Sequence, residues 1–167
     1  DLVLLVDKVA YEFALKNYDD LFTNERLVFS GIEQFDSNLV KHYGLEDKIS
    51  GVMERRAIGD IINIIDKMMP ELKKLHIIND FSVNGNDTDI FIQNAISKIN
   101  NKFEINYIRY SDIDTLKKKF SINKKDEAIF FIRFYNNKDG VFHKNYEIAS
   151  MIDSFNLPTF TTDSLFI

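Results

Sequence analysis

The sequence predicts an α/β fold of parallel sheets with helices on both faces. Three observations carry that prediction. The first is the run Ala128-Ile129-Phe130-Phe131-Ile132, continued beyond Arg133 by Phe134 and Tyr135. A strand with one wet face alternates apolar and polar side chains. A run without alternation therefore reads as a strand covered on both faces, like the inner strands of a parallel sheet. The second is the segment after that run. The cluster Asn136-Asn137-Lys138-Asp139-Gly140 is a turn, and Tyr146, Ala149, Ile152 and Phe155 stand at helical spacing. Leu157-Pro158-Thr159-Phe160-Thr161 then reads as a strand, with Pro158 at its entrance, where a missing N–H does least harm. The third is that the rest of the chain repeats this strand–helix–strand unit.

Taken in order, residues 2–6 (Leu-Val-Leu-Leu-Val) form a short buried strand ending at Asp7. Residues 9–22 form a helix with Ala10, Phe13, Ala14, Tyr18 and Leu21 along one stripe. Residues 26–30 form a second strand, closed by Gly31, and a short helix comes next around 37–43. Residues 49–53 are extended. Ile58, Ile61, Ile62, Ile65 and Met69 mark an amphipathic helix that Pro70 ends, with Met68 and Met69 as core filler. Residues 75–79 form a third strand ending at Asp80. Residues 81–86 are a turn, and Asp87 or Thr88 caps a helix running to Ile99. Residues 104–110 form a fourth strand, and Ser111 or Asp112 caps the helix 113–120. Alternation of this kind implies right-handed crossovers. Two lobes are expected, a partial one over 1–53 and a second over 54–167.

Composition narrows the function. A chain of 167 residues with 45% hydrophobic content supports a real core, and 15 Phe supply its bulk. A net charge of −5 opposes nucleic-acid binding. Lys117-Lys118-Lys119 and Lys124-Lys125 read as a solvated helix end and loop in preference to a phosphate patch. The absence of cysteine excludes disulfides, thiolate metal sites and cysteine nucleophiles. No run is long enough to span a bilayer, and no signal peptide is recognisable. A chain opening in a strand and closing in the apolar Leu165-Phe166-Ile167 reads as a piece of something larger.

Catalytic signatures are poor. Phosphate-cradle motifs and the G-x-S-x-G elbow are missing. His42, His76 and His143 have no metal-ligand spacing; His76 reads as a packed sheet histidine, and His42 and His143 as exposed. Neither a cofactor nor a metal is expected. In open α/β sheets, ligands sit beyond the carboxyl ends of the strands. Those ends carry Asp7, Ser30-Gly31, Asp80 with Ser82 and Asn84, Ser111, Tyr135 and Thr161-Thr162. The set could hydrogen-bond a modest polar ligand, or the Ser, Asp and Asn residues could simply cap helices. Glu54-Arg55-Arg56 reads either as a solvated turn or as a contact to the ligand.

Several segments together resemble a known family. Asp1-Leu2-Val3-Leu4-Leu5-Val6-Asp7, then Ala10 and Phe13, then Tyr18-Asp19-Asp20-Leu21-Phe22, then Leu27-Val28-Phe29-Ser30-Gly31-Ile32 are similar to ABC-transporter substrate-binding-protein-like sensor domains. Gly51-Val52-Met53-Glu54 is similar to the "G-V-x-E" of that family. Met69-Pro70, Lys74-Leu75-His76-Ile77-Ile78-Asn79-Asp80 and Gly85 resemble its "L-P … K-x-I-x-V-I-x-D-x-x-x-x-G". The stretch 126–140, with Pro158-Thr159-Phe160 after it, resembles its closing segments, although Asn136-Asn137-Lys138-Asp139 departs from the usual acidic spacing. The sequence also lacks that family's first strand–helix unit and the glycine-rich segment after its last strand.

The resemblance implies a two-lobed periplasmic-binding-protein-like fold that clamps a small ligand, an amino acid or another small carboxylate, in a cleft. Asp7, Ser30, Gly31 and Glu54 would contribute from one side, and Asp80, Ser82, Ser111, Tyr135 and Thr161 from the other. The expected role is the extracytoplasmic, non-enzymatic input of a bacterial histidine kinase or diguanylate cyclase. Its membrane-linked output domain would lie in flanking segments, and a homodimer is admissible. The alternatives are a solute-binding protein of an ABC transporter and, behind it, a small α/β enzyme.

Overall fold

A computed structural model of the chain describes residues 1–99, 103–109 and 111–162; Tyr110 and Leu165-Phe166-Ile167 lie outside the described residues. The chain divides into two compact units, Asp1–Arg56 and Ala57–Ile167.

In the first unit, β1 (Leu2–Val6), β2 (Arg26–Ile32) and β3 (Ile49–Met53) form a parallel sheet in the order β1-β2-β3. Between them run α1 (Asp7–Lys16), α2 (Tyr18–Leu21) and α3 (Ser37–His42). The single helix expected over 9–22 is interrupted at Asn17, whose side-chain amide donates to the Phe13 carbonyl. The strand order advances in one direction only. Right-handed crossovers then place every helix of this unit on the same face. There Tyr11, Ala14, Leu15, Tyr18 and Val40 bury Leu5, Leu27, Phe29 and Ile32. The expected stripe is rotated accordingly: Phe13 and Leu21 are exposed, and Tyr11 and Leu15 take the core positions.

The same topology corrects the reading of residues 2–6 as a buried strand, since only one of its faces is covered. Leu5 is 5% exposed, while Leu4 beside it is 61% exposed. Leu2, Val6 and Val52 share the open face with Leu4, because no described helix of this unit crosses it.

The second unit has the strand order β5-β4-β6-β7. Its strands are β4 (Lys74–Ile78), β5 (Glu104–Ile108), β6 (Glu127–Phe131) and β7 (Thr159–Thr161), all parallel. Its helices are α4 (Ile58–Met68), α5 (Val83–Lys98), α6 (Ile113–Lys119) and α7 (Asn145–Asp153). Here the chain steps outward from β4 to β5, then returns across the sheet to β6 and on to β7. Reversing direction under one handedness of crossover puts helices on both faces. One face holds Ile58, Ile62, Ile65 and Ile92 from α4 and α5 against Leu75, Ile77, Ala128 and Phe130. The other holds Leu116, Ile148 and Met151 from α6 and α7 against Ile78, Ile129 and Phe131. The unalternating run is thus doubly covered, as its composition requires.

Local differences have local causes. Met69 packs on the core next to Pro70, but Met68 points to solvent. On α7 the buried residues are Ile148 and Met151, and Tyr146 faces outward. Asp87 and Thr88 do not cap α5. The cap is Ser82, whose hydroxyl accepts from Gly85 N–H at 3.0 Å, so the helix begins inside the expected turn. Asp112 caps α6 by accepting from Thr115 N–H at 2.8 Å.

Candidate functional site

In the second unit, β4 leads into α5 on one side of the sheet, while its neighbour β6 leads into α7 on the other. Two adjacent parallel strands whose exits diverge in this way leave a crevice at their carboxyl ends. Open α/β sheets take their ligands in such a crevice. The residues leaving β4 are Asn79 and Asp80, and those leaving β6 are Ile132 to Tyr135.

Asp80 ties the two exits together. Its Oδ1 accepts from Ser82 N–H at 3.0 Å and from the Ser82 hydroxyl at 2.6 Å. Its Oδ2 accepts from the backbone N–H groups of Tyr135 at 2.6 Å and Asn136 at 3.1 Å. Four donors on one fully buried carboxylate satisfy its negative charge internally. Gly85 is required beside it, because a Cβ at that position would overlap the Asp80 carboxylate and carbonyl. Of the sequence-predicted residues, Asp80, Ser82 and Tyr135 are therefore brought together. Ser111 joins them through its backbone, its carbonyl accepting from Lys138 N–H at 2.8 Å in the loop after Tyr135. Thr161 pairs with Phe131 one strand further out.

The β5 side supports the same turn. Arg109 pairs with Asp89 at 3.0 Å, donates to the Asp80 carbonyl at 3.2 Å and lies over the Phe81 ring. The Tyr107 hydroxyl donates to Asp89 at 2.6 Å, and burial together with that carboxylate pushes the phenol's pKa up. Asn79, entirely buried, donates from its amide to the Gly85 carbonyl at 2.9 Å and to the Tyr107 hydroxyl at 3.1 Å.

Arg133 escaped the sequence reading, where it served only as a break in an apolar run. It is 8% exposed, and among the described residues its guanidinium makes one long hydrogen bond, 3.4 Å to the Thr88 hydroxyl. The available signal was an arginine interrupting an otherwise apolar strand end. His143 also departs from expectation. It is half-buried, stacks on Phe134 with ring centroids 6.1 Å apart, and keeps Nε2 buried.

In the first unit, the predicted Asp7, Ser30 and Gly31 do converge. Ser30 pairs with Val6, and a Cβ on Gly31 would stand 3.4 Å from the Asp7 nitrogen. Asp7 has a left-handed backbone at φ 75°, as does Gly31 at 73°. Glu54 extends the β3 pairing, its N–H donating to the Ile32 carbonyl at 2.7 Å, and its carboxylate lies 3.7 Å from Arg56. Arg56 also pairs with the buried Glu33 at 2.7 Å. A cavity of about 260 Å³ lined by Phe29, Phe35, Ser50, Gly51 and Met53 adjoins β3 and is largely apolar. Among the described residues, no cluster of His, Asp and Glu has metal-binding geometry, and no helix is long and apolar enough to cross a membrane.

No protein-family model matches the chain, and no curated protein matches it. Among solved structures it is similar to an extracellular ligand-binding receptor from Verminephrobacter eiseniae ef01-2, at 12% identity with a TM-score of 0.53. The fold is periplasmic-binding-protein-like. The match covers 96% of this chain and 44% of the receptor, so the chain spans less than half the receptor's length. At that identity, the likeness establishes the α/β architecture and leaves the role of each rim residue to the local geometry.

Proposed function

We propose that this chain belongs to an extracytoplasmic domain that binds a small polar molecule at the carboxyl ends of its parallel strands and has no catalytic role. The observation that carries this reading is the diverging exit of β4 and β6, with Asp80 fixing the loops on either side and Arg133 standing beside them. Asp80, Ser82, Ser111, Tyr135 and Thr161 are the candidate ligand-side residues of the second unit. Asp80 acts by positioning, since its oxygens already have protein donors. Asp7, Ser30, Gly31 and Glu54 form the corresponding rim of the first unit and are candidates on the same grounds. The likeness to a protein described as an extracellular ligand-binding receptor supports both the binding role and the location outside the cytoplasm.

The order and spacing of the sequence motifs support a finer placement as the input domain of a bacterial signalling protein. Ligand binding would shift a two-state equilibrium by its differential affinity for the two states. A transport role would use the same site, and a lipoprotein signal in the flanking sequence would favour it, whereas a membrane helix would favour sensing. The test is thermal denaturation of the protein against a panel of small polar metabolites. At least one should raise the melting temperature in a saturable way. A panel in which none does so would contradict the proposal.

A further inference from the structure

We infer that Arg133 is the anion-binding residue of this site, and that it receives the carboxylate of a small ligand which also carries an N–H or O–H donor. The inference rests on the reading of the β4–β6 crevice as the ligand site, and it names the chemistry that the crevice selects.

Arg133 is an unbalanced buried charge. A guanidinium offers five N–H donors and stays protonated at any physiological pH. Burying it without an anion is strongly unfavourable. Arg133 is 8% exposed, yet among the described residues its only side-chain hydrogen bond is the 3.4 Å contact to a neutral hydroxyl, and it forms no ion pair. The other charges at this end are already matched. Arg109 pairs with Asp89, and the Asp80 carboxylate is held by four donors. Asp87, buried on α5 one residue before Thr88, has a partner of its own.

A second imbalance, of opposite sense, belongs to the exit of β4 and the first turn of α5. Among the described residues, the amide oxygens of Asn79 and Asn84 are buried acceptors without a donor. Asn84 stands one helical turn before Thr88, which puts both on one face of α5, and the Thr88 hydroxyl donates to the Asn84 carbonyl at 3.0 Å. Asn79 is anchored to the Gly85 carbonyl, the residue after Asn84. The Thr88 hydroxyl thus links Arg133 to the turn of α5 that carries Asn84, and Asn79 is tied to the residue after it, so the spare donors and the spare acceptors both belong to the segments where β4 and β6 end. A carboxylate fits the planar fork of arginine through two parallel hydrogen bonds. A neighbouring hydroxyl or ammonium on the same ligand would satisfy the amide oxygens.

Thermal denaturation with sodium acetate, sodium glycolate, acetamide, inorganic phosphate and sodium chloride at matched ionic strength tests this directly. Acetate and glycolate should raise the melting temperature, glycolate more, whereas acetamide and chloride should not. Arg133→Gln should abolish the response while leaving the unliganded protein at least as stable. Arg133→Lys, which keeps the charge but not the fork, should weaken glycolate binding about tenfold and carries the test if the glutamine variant does not fold. Asn84→Ala should reduce glycolate to the level of acetate without changing acetate. Equal responses in wild type and Arg133→Gln, acetamide matching acetate, or stabilisation by phosphate alone would each overturn the inference. A panel metabolite that stabilises wild type and Arg133→Gln alike would overturn it while leaving the binding function standing. A protein that neither carboxylates nor the panel stabilises would remove both.

Discussion

The carboxylate of Asp80 accepts the backbone N–H of Tyr135 at 2.6 Å, across 55 residues of chain. One strand exit thereby holds the next in place, and the loop after β6 depends on a side chain at the end of β4. Asp80→Asn replaces one acceptor oxygen by an amide that faces donors. It should lower stability by about 2 kcal/mol, within the range for hydrogen bonds to charged groups. Urea denaturation measures the loss, and amide hydrogen exchange should accelerate first at Tyr135 and Asn136.

Asp7 is the only described non-glycine residue with a left-handed backbone. Such a conformation strains an L-residue by about 1 kcal/mol or more. Asp7→Gly should therefore stabilise the protein by a few tenths to about 1 kcal/mol, relief of strain being partly offset by the greater entropy of glycine in the unfolded chain. Gly31→Ala, at φ 73° and facing the Asp7 backbone, should destabilise by about 1 kcal/mol. If Asp7→Gly lowers the denaturation midpoint and also weakens ligand binding, the side chain itself contributes to binding.

The one-sided sheet of the first unit sets two adjacent leucines apart. Leu5→Ala removes a core side chain and should cost about 3 kcal/mol. Leu4→Ala, on the open face, should cost under about 1 kcal/mol. Denaturant midpoints of the two variants decide the register, and a reversed order would contradict it.

Much of this architecture could be read from the chain. The doubly covered run 128–132, the alternation of strands and helices, and Pro70 as a helix stop all depend on local pattern, which the sequence displays. Which face of β1 is bare was not legible, because it depends on strand order. Apolar Leu2 and Leu4 look the same whether a helix covers them or not. The start of α5 was misplaced because Ser82, three residues before Gly85, signals a cap only once its hydroxyl is seen to accept from that residue's N–H. At the candidate site, the rule that strand ends carry ligands named Asp80, Ser82 and Tyr135, which the structure brings together. Arg133 was not named: an arginine interrupting an apolar strand end is visible in the sequence, but its lack of an anionic partner among the described residues appears only in the folded state.

His76 provides a pH dependence. It is 3% exposed, its Nε2 lies 2.8 Å from Glu127, and its Nδ1 lies 2.8 Å from the Asn106 amide nitrogen. The neutral ring satisfies both contacts by donating from Nε2 and accepting at Nδ1. Burial lowers its pKa below the ordinary histidine value, outweighing the upward pull of Glu127. The unfolded chain therefore binds a proton more readily. Stability is fully present above the unfolded histidine pKa of about 6.5 and is lost as pH falls through it towards the lower folded value. Urea midpoints measured from about pH 7 to about pH 5 should fall more steeply for wild type than for His76→Gln. Equal slopes would show that His76 does not govern this range.

The most direct measurement of the central claim is amide hydrogen exchange with and without whichever small molecule stabilises the protein. Added protection should appear at the carboxyl ends of β4 and β6, over residues 79–86 and 132–136. Protection confined to the opposite ends of those strands, around Lys73 and Asp126, would contradict the account.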